Sequence, residues 1–238
     1  MTLIYRTRYH AVLASTNTAV KSAIEAGQAE GRVVQAGRQT AGYGRRGHVW
    51  ESPAGGLYMS LLLRPAQDDA ALATLPLVAG MAVHAACEAI APGRFAIKWP
   101  NDVVVPDPGA ASGFVKIAGI SCERYLDGVC LGVGVDAADL PLGNAIALPP
   151  APETLRDMVL ARFAECYERW QEQGFAPFAP ELSTLNILRG RTISVQDGTG
   201  RITCSGVAGA MDETGRLCIS SADGGNLRVS SGEAHILL

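Results

Sequence analysis

Four short β-favouring runs, Phe95–Trp99, Val103–Val105, Val115–Arg124 and Gly128–Val135, follow one another, broken by Asn-Asp, Pro-Asp-Pro-Gly and Asp-Gly, the connection between the second and third being long. Breaks of that kind return a strand alongside its predecessor, so the segment reads as an antiparallel meander. The flanking sequence builds on it. A strand is expected around Thr7–Val12, then a helix from Ser15-Thr16-Asn17 to about Ala26 with Gly27 as its stop. Val33–Ala36 and the apolar run Leu57–Leu63 read as strands, and Ala70–Ile90 as one long, largely buried helix. Asp136–Pro152 reads as a loop. Glu153–Gln173 carries Leu155, Val159, Phe163, Cys166 and Trp170 at helical spacing, and a shorter helix is expected over Phe178–Leu188.

At about Arg189 the pattern changes to period-two alternation, with turn signals at Asp197-Gly198, Asp212–Gly215 and Asp223–Gly225. A segment of that length suits a compact SH3-like β-barrel. The fold class is therefore α+β: a mixed or antiparallel sheet with packed helices over residues 1–188, and a small β domain over 189–238.

Composition narrows the classes. Hydrophobic residues are 48% and charged residues 18%, enough to bury a substantial core and too few charges for long disorder. No apolar stretch is expected to approach a membrane span, and the N-terminus lacks a signal peptide's apolar run, so a cytoplasmic protein is expected. A net charge of −3 points away from nucleic acid or an anionic membrane as partner. The six cysteines are scattered without a C-x-x-C pair, which argues for reduced thiols over a metal site or disulfide framework.

Five segments carry candidate chemistry. The first is Gln39-Thr40-Ala41-Gly42-Tyr43-Gly44-Arg45-Arg46-Gly47-His48-Val49-Trp50. Its glycines let backbone N–H groups approach an anion, and Arg45 and Arg46 add permanent charge with forked donors. It matches neither a Walker loop nor G-x-G-x-x-G, and composition alone equally allows a solvated basic hairpin. In Lys98-Trp99-Pro100-Asn101-Asp102, a lysine and a carboxylate stand at a strand mouth, suited to nucleotide phosphates and magnesium or to an ordinary turn. In Lys116-Ile117-Ala118-Gly119-Ile120, a lysine opens an apolar strand, either snorkelling to solvent or neutralising charge on a reacting carboxylate and phosphate. Gly132-Val133-Gly134-Val135-Asp136 is a glycine-spaced strand ending in a carboxylate. Ser15-Thr16-Asn17 offers either a helix cap or polar groups for a ring such as a ureido group.

Taken in this order, Ser-Thr-Asn, Gln-Thr-Ala-Gly-x-Gly-Arg-Arg-Gly-x-x-Trp, Lys-Trp-Pro-Asn-Asp, Lys-x-Ala-Gly-Ile and Gly-x-Gly-x-Asp resemble the biotin protein ligase family over nearly the whole chain. The resemblance implies activation of biotin with ATP to biotinyl-adenylate, then transfer to a lysine of a biotin carboxyl carrier domain. The enzyme itself would be a monomer or homodimer. By the same resemblance Ser15, Thr16, Asn17, Gln39, Gly42, Tyr43, Gly44, Arg45, Lys116, Gly119 and Gly134 fall on the biotin side. Arg45, Arg46, His48, Trp50, Lys98, Asn101, Asp102, Lys116 and Asp136 fall on the ATP side, with Asp102 toward Mg2+. Lys116 and Arg45 are the implied catalytic residues, and the glycine loop is expected to be mobile when empty.

Three positions depart from the family pattern: Tyr43 and His48 stand where arginines are usual, and Asp136 where asparagine is. Two lost cations and a gained anion should weaken anionic-ligand binding by roughly 1–3 kcal/mol if uncompensated. Lipoate or octanoate enzymes of the same fold are the rival reading. The transferase type needs a cysteine beside the lysine, and Cys122 would share the face of Lys116 under regular alternation. A regulator with an N-terminal helix-turn-helix is not expected, since Ser15-Thr16-Asn17 lies so near the start, and a catalytically weak biotin-binding module is the remaining alternative.

Overall fold

A computed structural model describes residues 3–136 and 151–237. Most of the expected 136–152 loop therefore lies outside the described residues. The chain begins with β1 (Arg6–His10), α1 (Thr16–Glu25), β2 (Arg32–Ala36) and β3 (Leu57–Leu63). Two helices follow, α2 (Asp69–Leu72) and α3 (Leu75–Ile90), and then the meander β4 (Ala96–Lys98), β5 (Asp102–Pro106), β6 (Phe114–Tyr125) and β7 (Gly128–Val135). Helices α4 (Pro152–Gln173) and α5 (Ala179–Leu185) lead into β8 (Thr192–Gln196), β9 (Ile202–Met211), β10 (Leu217–Ser220), β11 (Asn226–Val229) and β12 (Glu233–Ile236).

The first seven strands form one sheet in the order β1-β2-β3-β7-β6-β5-β4. Only the β1–β2 pair is parallel. Both faces of its middle are covered, which is why β3 reads as a run that is apolar on both faces apart from Ser60. Leu57, Met59, Leu61 and Leu63 enter the core shared with α3 and α4, whereas Leu62 joins Val34 and Cys130 beneath Val20, Ala23 and Ile24 of α1. On α4, Phe163, Tyr167 and Trp170 stack in sequence at ring separations of 5.4 and 5.8 Å. The last five strands form a second sheet, antiparallel throughout, in the order β11-β10-β9-β8-β12. The hydrophobic cluster continues into it through Ile193, Val195, Leu217 and Ala234.

Several expectations are corrected. The helix expected over Ala70–Ile90 is two helices, because Pro76 has no N–H to donate and belongs in a first turn. Asp68 caps the short α2 through Ala71 N at 2.9 Å. Asp69–Ile90 is also long and apolar enough to cross a membrane by length and composition, contrary to the sequence reading, although 78% of its most apolar window is buried within the fold. The helix expected over Phe178–Leu188 is α5 alone, preceded by a 3-10 turn at Ala176–Phe178 and stopped before Asn186. All six cysteines are free thiols.

The most consequential correction lies in β6. Val103 faces Ala118 and Val104 faces Lys116, leaving Ile117 as an extra residue. This bulge reverses the alternation. Lys116 therefore turns to the same face as Gly119, with its Nζ 5.1 Å from the Trp50 ring, whereas Cys122 packs against the α3–α4 core. Cys122 and Lys116 do not share a face.

Trp99 fastens the two sheets together. It is 1% exposed, and its indole N–H donates to the carbonyl of Gly215 at 3.1 Å. Trp99→Phe should cost about 1–3 kcal/mol, because it leaves that buried carbonyl unpaired. Urea unfolding followed by far-ultraviolet circular dichroism will measure the loss.

Candidate active site

The site lies on the α1 face of the first sheet, beside the point where α1 begins. There β6 and β7 present Gly119, Ser121, Gly132 and Gly134, so the sheet has almost no side chains on this face. A Cβ on Gly134 would stand 2.5 Å from Trp50 Nε1, and one on Gly119 would stand 2.9 Å from the same ring. Glycine is required at both positions because the Trp50 ring lies against bare backbone. The glycine-rich segment arches over this floor. Gly44 N donates to His48 O at 2.8 Å and Trp50 N to Gly42 O at 2.9 Å, so the segment is a closed hairpin carrying a 3-10 turn at Arg45–Gly47. Arg46 takes a left-handed φ of 56°, a conformation uncommon for a residue with a side chain.

Between loop and floor is a cavity of about 260 Å³. Of the residues singled out from sequence, Thr16, Asn17, Gln39, Tyr43, Gly44, Arg45, Arg46, His48, Trp50, Lys98, Asn101, Asp102, Lys116, Gly119 and Gly134 line it. Ser15, Gly42 and Asp136 do not. Ser15 is the N-cap of α1, yet its hydroxyl makes no capping bond and is buried without a partner. Gly42 is a close-approach position, since a Cβ there would stand 2.6 Å from Trp50 O.

One end of the cavity is a dense polar network at the start of α1. Gln39 Oε1 accepts from Thr16 N at 2.8 Å and Thr16 Oγ1 at 3.1 Å, which supplies the capping that Ser15 does not. Gln39 Nε2 donates to Ser52 Oγ at 2.9 Å. Ser60 Oγ donates to Asn17 Oδ1 at 2.6 Å and lies 2.7 Å from Thr16 Oγ1. Asn17 Nδ2 reaches Ser121 Oγ at 3.3 Å and Tyr43 O at 3.4 Å. The network fixes every one of these side chains before any ligand arrives.

The other end is cationic. Asp102 is flanked by Lys116 Nζ at 2.8 Å from Oδ1 and Lys98 Nζ at 4.0 Å from Oδ2. Arg45 Nη1 donates to Asn101 Oδ1 at 2.7 Å, and Asn101 Nδ2 to Ile120 O at 2.9 Å. Among the described residues, Arg45, Arg46, Lys98 and Lys116 line the cavity against two carboxylates, Asp102 and Glu233. Burial lowers the Lys98 pKa, with Asp102 opposing, and burial and then Arg46 lower that of Arg45. An anion entering here meets positive charge that the protein has left partly unneutralised.

Ser60, Ser121, Ser52 and Glu233 were not anticipated from sequence. A lone serine inside the apolar run Leu57–Leu63 was a readable signal for Ser60. Glu233 had none, because it arrives from the second sheet.

Residues 9–136 match the family model for the biotin/lipoate A/B protein ligase family. The chain belongs to this family. It is 34% identical to "Biotin--[acetyl-CoA-carboxylase] ligase" of Paracoccus denitrificans, over 80% of this chain and 85% of that one. It is 27% identical to "Bifunctional ligase/repressor BirA" of Bacillus subtilis, over 91% and 70% of the two chains. Among solved structures, the biotin protein ligase from Aquifex aeolicus in complex with biotin and ATP superposes with a TM-score of 0.83 at 26% identity, covering 98% of each chain. The family match spans the loop, the glycine floor and the cationic end, but not Glu233.

Asp136 sits at the end of β7 with its N–H on Ile117 O at 2.7 Å and its Oδ1 buried without a partner among the described residues. Burial raises its pKa from 3.8 to about 6, Lys116 opposes the shift, and Glu51 adds to it. A carboxyl whose folded pKa is raised favours the fold while protonated, and that contribution is lost as pH rises from about 4 through about 6. Asp136→Asn should therefore stabilise the protein at pH 8 by about 1–2 kcal/mol, after discounting for partial solvent exposure. The advantage should vanish near pH 4, which thermal unfolding across pH will test.

Proposed function

We propose that this ligase activates biotin with ATP and transfers the biotinyl group to a lysine on an acceptor protein, the carrier domain of a carboxylase. The observation that carries this reading is the polarity of one cavity. Pre-set amide and hydroxyl groups occupy one end and excess cations the other, with a glycine floor between. A ligand with a neutral hydrogen-bonding ring, an apolar chain and a carboxylate matches that order, and biotin has all three. The ring would take Asn17 and the hydroxyls around it, and the carboxylate would lie toward Lys116.

In the first step a biotin carboxylate oxygen attacks the α-phosphorus of ATP. A C–O–P linkage forms, the bond to the β-phosphate oxygen breaks, and pyrophosphate leaves. In the second, an acceptor lysine in its amine form attacks the activated carbonyl, an amide forms, one proton is released and AMP departs. Neither step needs a nucleophile from the enzyme. Lys116, Arg45 and Lys98 would act by neutralising charge that two anions bring together, and their fixed placement avoids reorganisation as the reaction proceeds. For magnesium, the described residues nearby offer two carboxylates, Asp102, already flanked by two lysines, and Glu233, which faces Arg45 and Lys98. That fits a cation carried on the ATP phosphates better than one caged by protein. The orientation of Cys122 into the core counts against an acyl-cysteine transferase.

Lys116→Ala should reduce biotin-dependent pyrophosphate release by about 100- to 1,000-fold, the range for removing one preorganised electrostatic donor. Undiminished release would remove Lys116 from this role. Replacing biotin with lipoic acid in the same assay, and mass spectrometry of a carrier domain incubated with enzyme, ATP and biotin, test the substrate and the acceptor.

A further inference from the structure

Lys21 lies on α1 outside the cavity, and no step above uses it. Its Nζ is 2.7 Å from Glu123 Oε2 on β6, 5.4 Å from the Tyr43 ring centroid and 5.5 Å from that of Tyr125. Tyr125 in turn donates its hydroxyl to Glu25 of α1. One ammonium thus joins a helix, a central strand and the glycine loop. The connection continues to the cavity: Tyr43 pairs with Val49 as an isolated antiparallel bridge, Asn17 Nδ2 donates to Tyr43 O, and the next residue after Val49 is Trp50, whose ring lies on the glycine floor. The Lys21 side chain is 23% exposed, so the contact is partly shielded from solvent. A cation held over an aromatic face is attracted to it, and more strongly as water is excluded.

We infer that Lys21 is a positioning residue for the biotin site, anchoring Tyr43 and through it holding the glycine loop and Trp50 in their closed arrangement before substrate binds. Tyr43 stands where the family pattern has an arginine, and its ring takes a cation from the helix instead. Glu123 neutralises the ammonium and sets its position over the ring. The inference concerns loop order first. Its bearing on catalysis rests on the reading that this cavity binds biotin.

The test uses the full-length protein without ligands. Cleavage between Arg45 and Arg46 by an arginine-specific protease, identified by mass spectrometry, reports loop opening. Lys21→Met and Tyr43→Leu should each accelerate cleavage by about five- to tenfold, and the double variant should be no faster than the quicker single one. Lys21→Arg keeps a cation over the ring and should restore protection to within about twofold of the unsubstituted protein. In pyrophosphate release, Lys21→Met should raise the KM for biotin about five- to tenfold and change kcat by less than about twofold, the split expected when a binding arrangement must be assembled first. Equal cleavage in Lys21→Met and the unsubstituted protein would overturn the inference, as would failure of Lys21→Arg to restore protection. Because cleavage is read without substrate, the latch can stand or fall whether or not biotin is the ligand.

Discussion

Two central strands, β6 and β7, are built differently on their two faces, and the site depends on that difference. Toward α3 and α4 they present Ile117, Ala118, Ile120, Leu131, Val133 and Val135, all essentially buried. Toward the loop they present Gly119, Ser121, Gly132 and Gly134. Glycine in a strand costs about 0.5–1 kcal/mol in backbone entropy and adds no packing of its own. The strands persist because the opposite face and two hydrogen-bonded neighbours hold each of them. A bare face could not survive at the sheet edge, so the position of the site follows from the order β3-β7-β6-β5.

The bulge at Ile117 gives this floor a charge. With regular pairing Lys116 would point into the core, where an unpaired ammonium is prohibitive. One extra residue turns it out beside Asp102 and Trp50 while Ile117 and Ala118 remain buried. The same residue separates Lys116 from Cys122. A lysine without a neighbouring thiol can neutralise charge but has no acyl acceptor to assist, which favours adenylate chemistry over acyl-enzyme chemistry on this scaffold. The lowered pKa values of Lys98 and Arg45 express the same point energetically. The empty site carries charge it would rather not hold, and an incoming anion relieves that cost. Ligand binding and retention of these protons are therefore linked.

The fold was legible in the sequence wherever one residue pattern served one purpose. The meander was readable from its turns and α4 from its single apolar stripe. Features that serve two purposes were not. The 69–90 segment looked continuous because apolar content does not mark a break, and only Pro76 hinted at the new helix. The β6 bulge leaves no trace in composition, so alternation predicted the wrong face for Cys122. The order of the motifs located the loop, the lysines and Asp102, although Arg45 meets Asn101 and Lys116 meets Trp50 only through the fold. Ser121 and Glu233 reach the same cavity, and Ser60 the network beside it, from strands far apart along the chain, and pairing register was needed to bring them in.

Among the described residues, the second sheet lines this site at Gly232 and Glu233, where a carboxylate faces Arg45 and Lys98. Its placement depends on how the second sheet packs on the first. Trp99 makes that junction directly, since its indole binds Gly215 while its own backbone N–H donates to Asn186 Oδ1 at 3.3 Å. Trp99 lies between Lys98 and Pro100, beside Asn101 and Asp102. The turn that positions the ATP-side residues is therefore also the turn that docks the second sheet. Loosening this junction would move Glu233 relative to Arg45 and Lys98 and change the charge balance of the cavity without altering any residue that lines it.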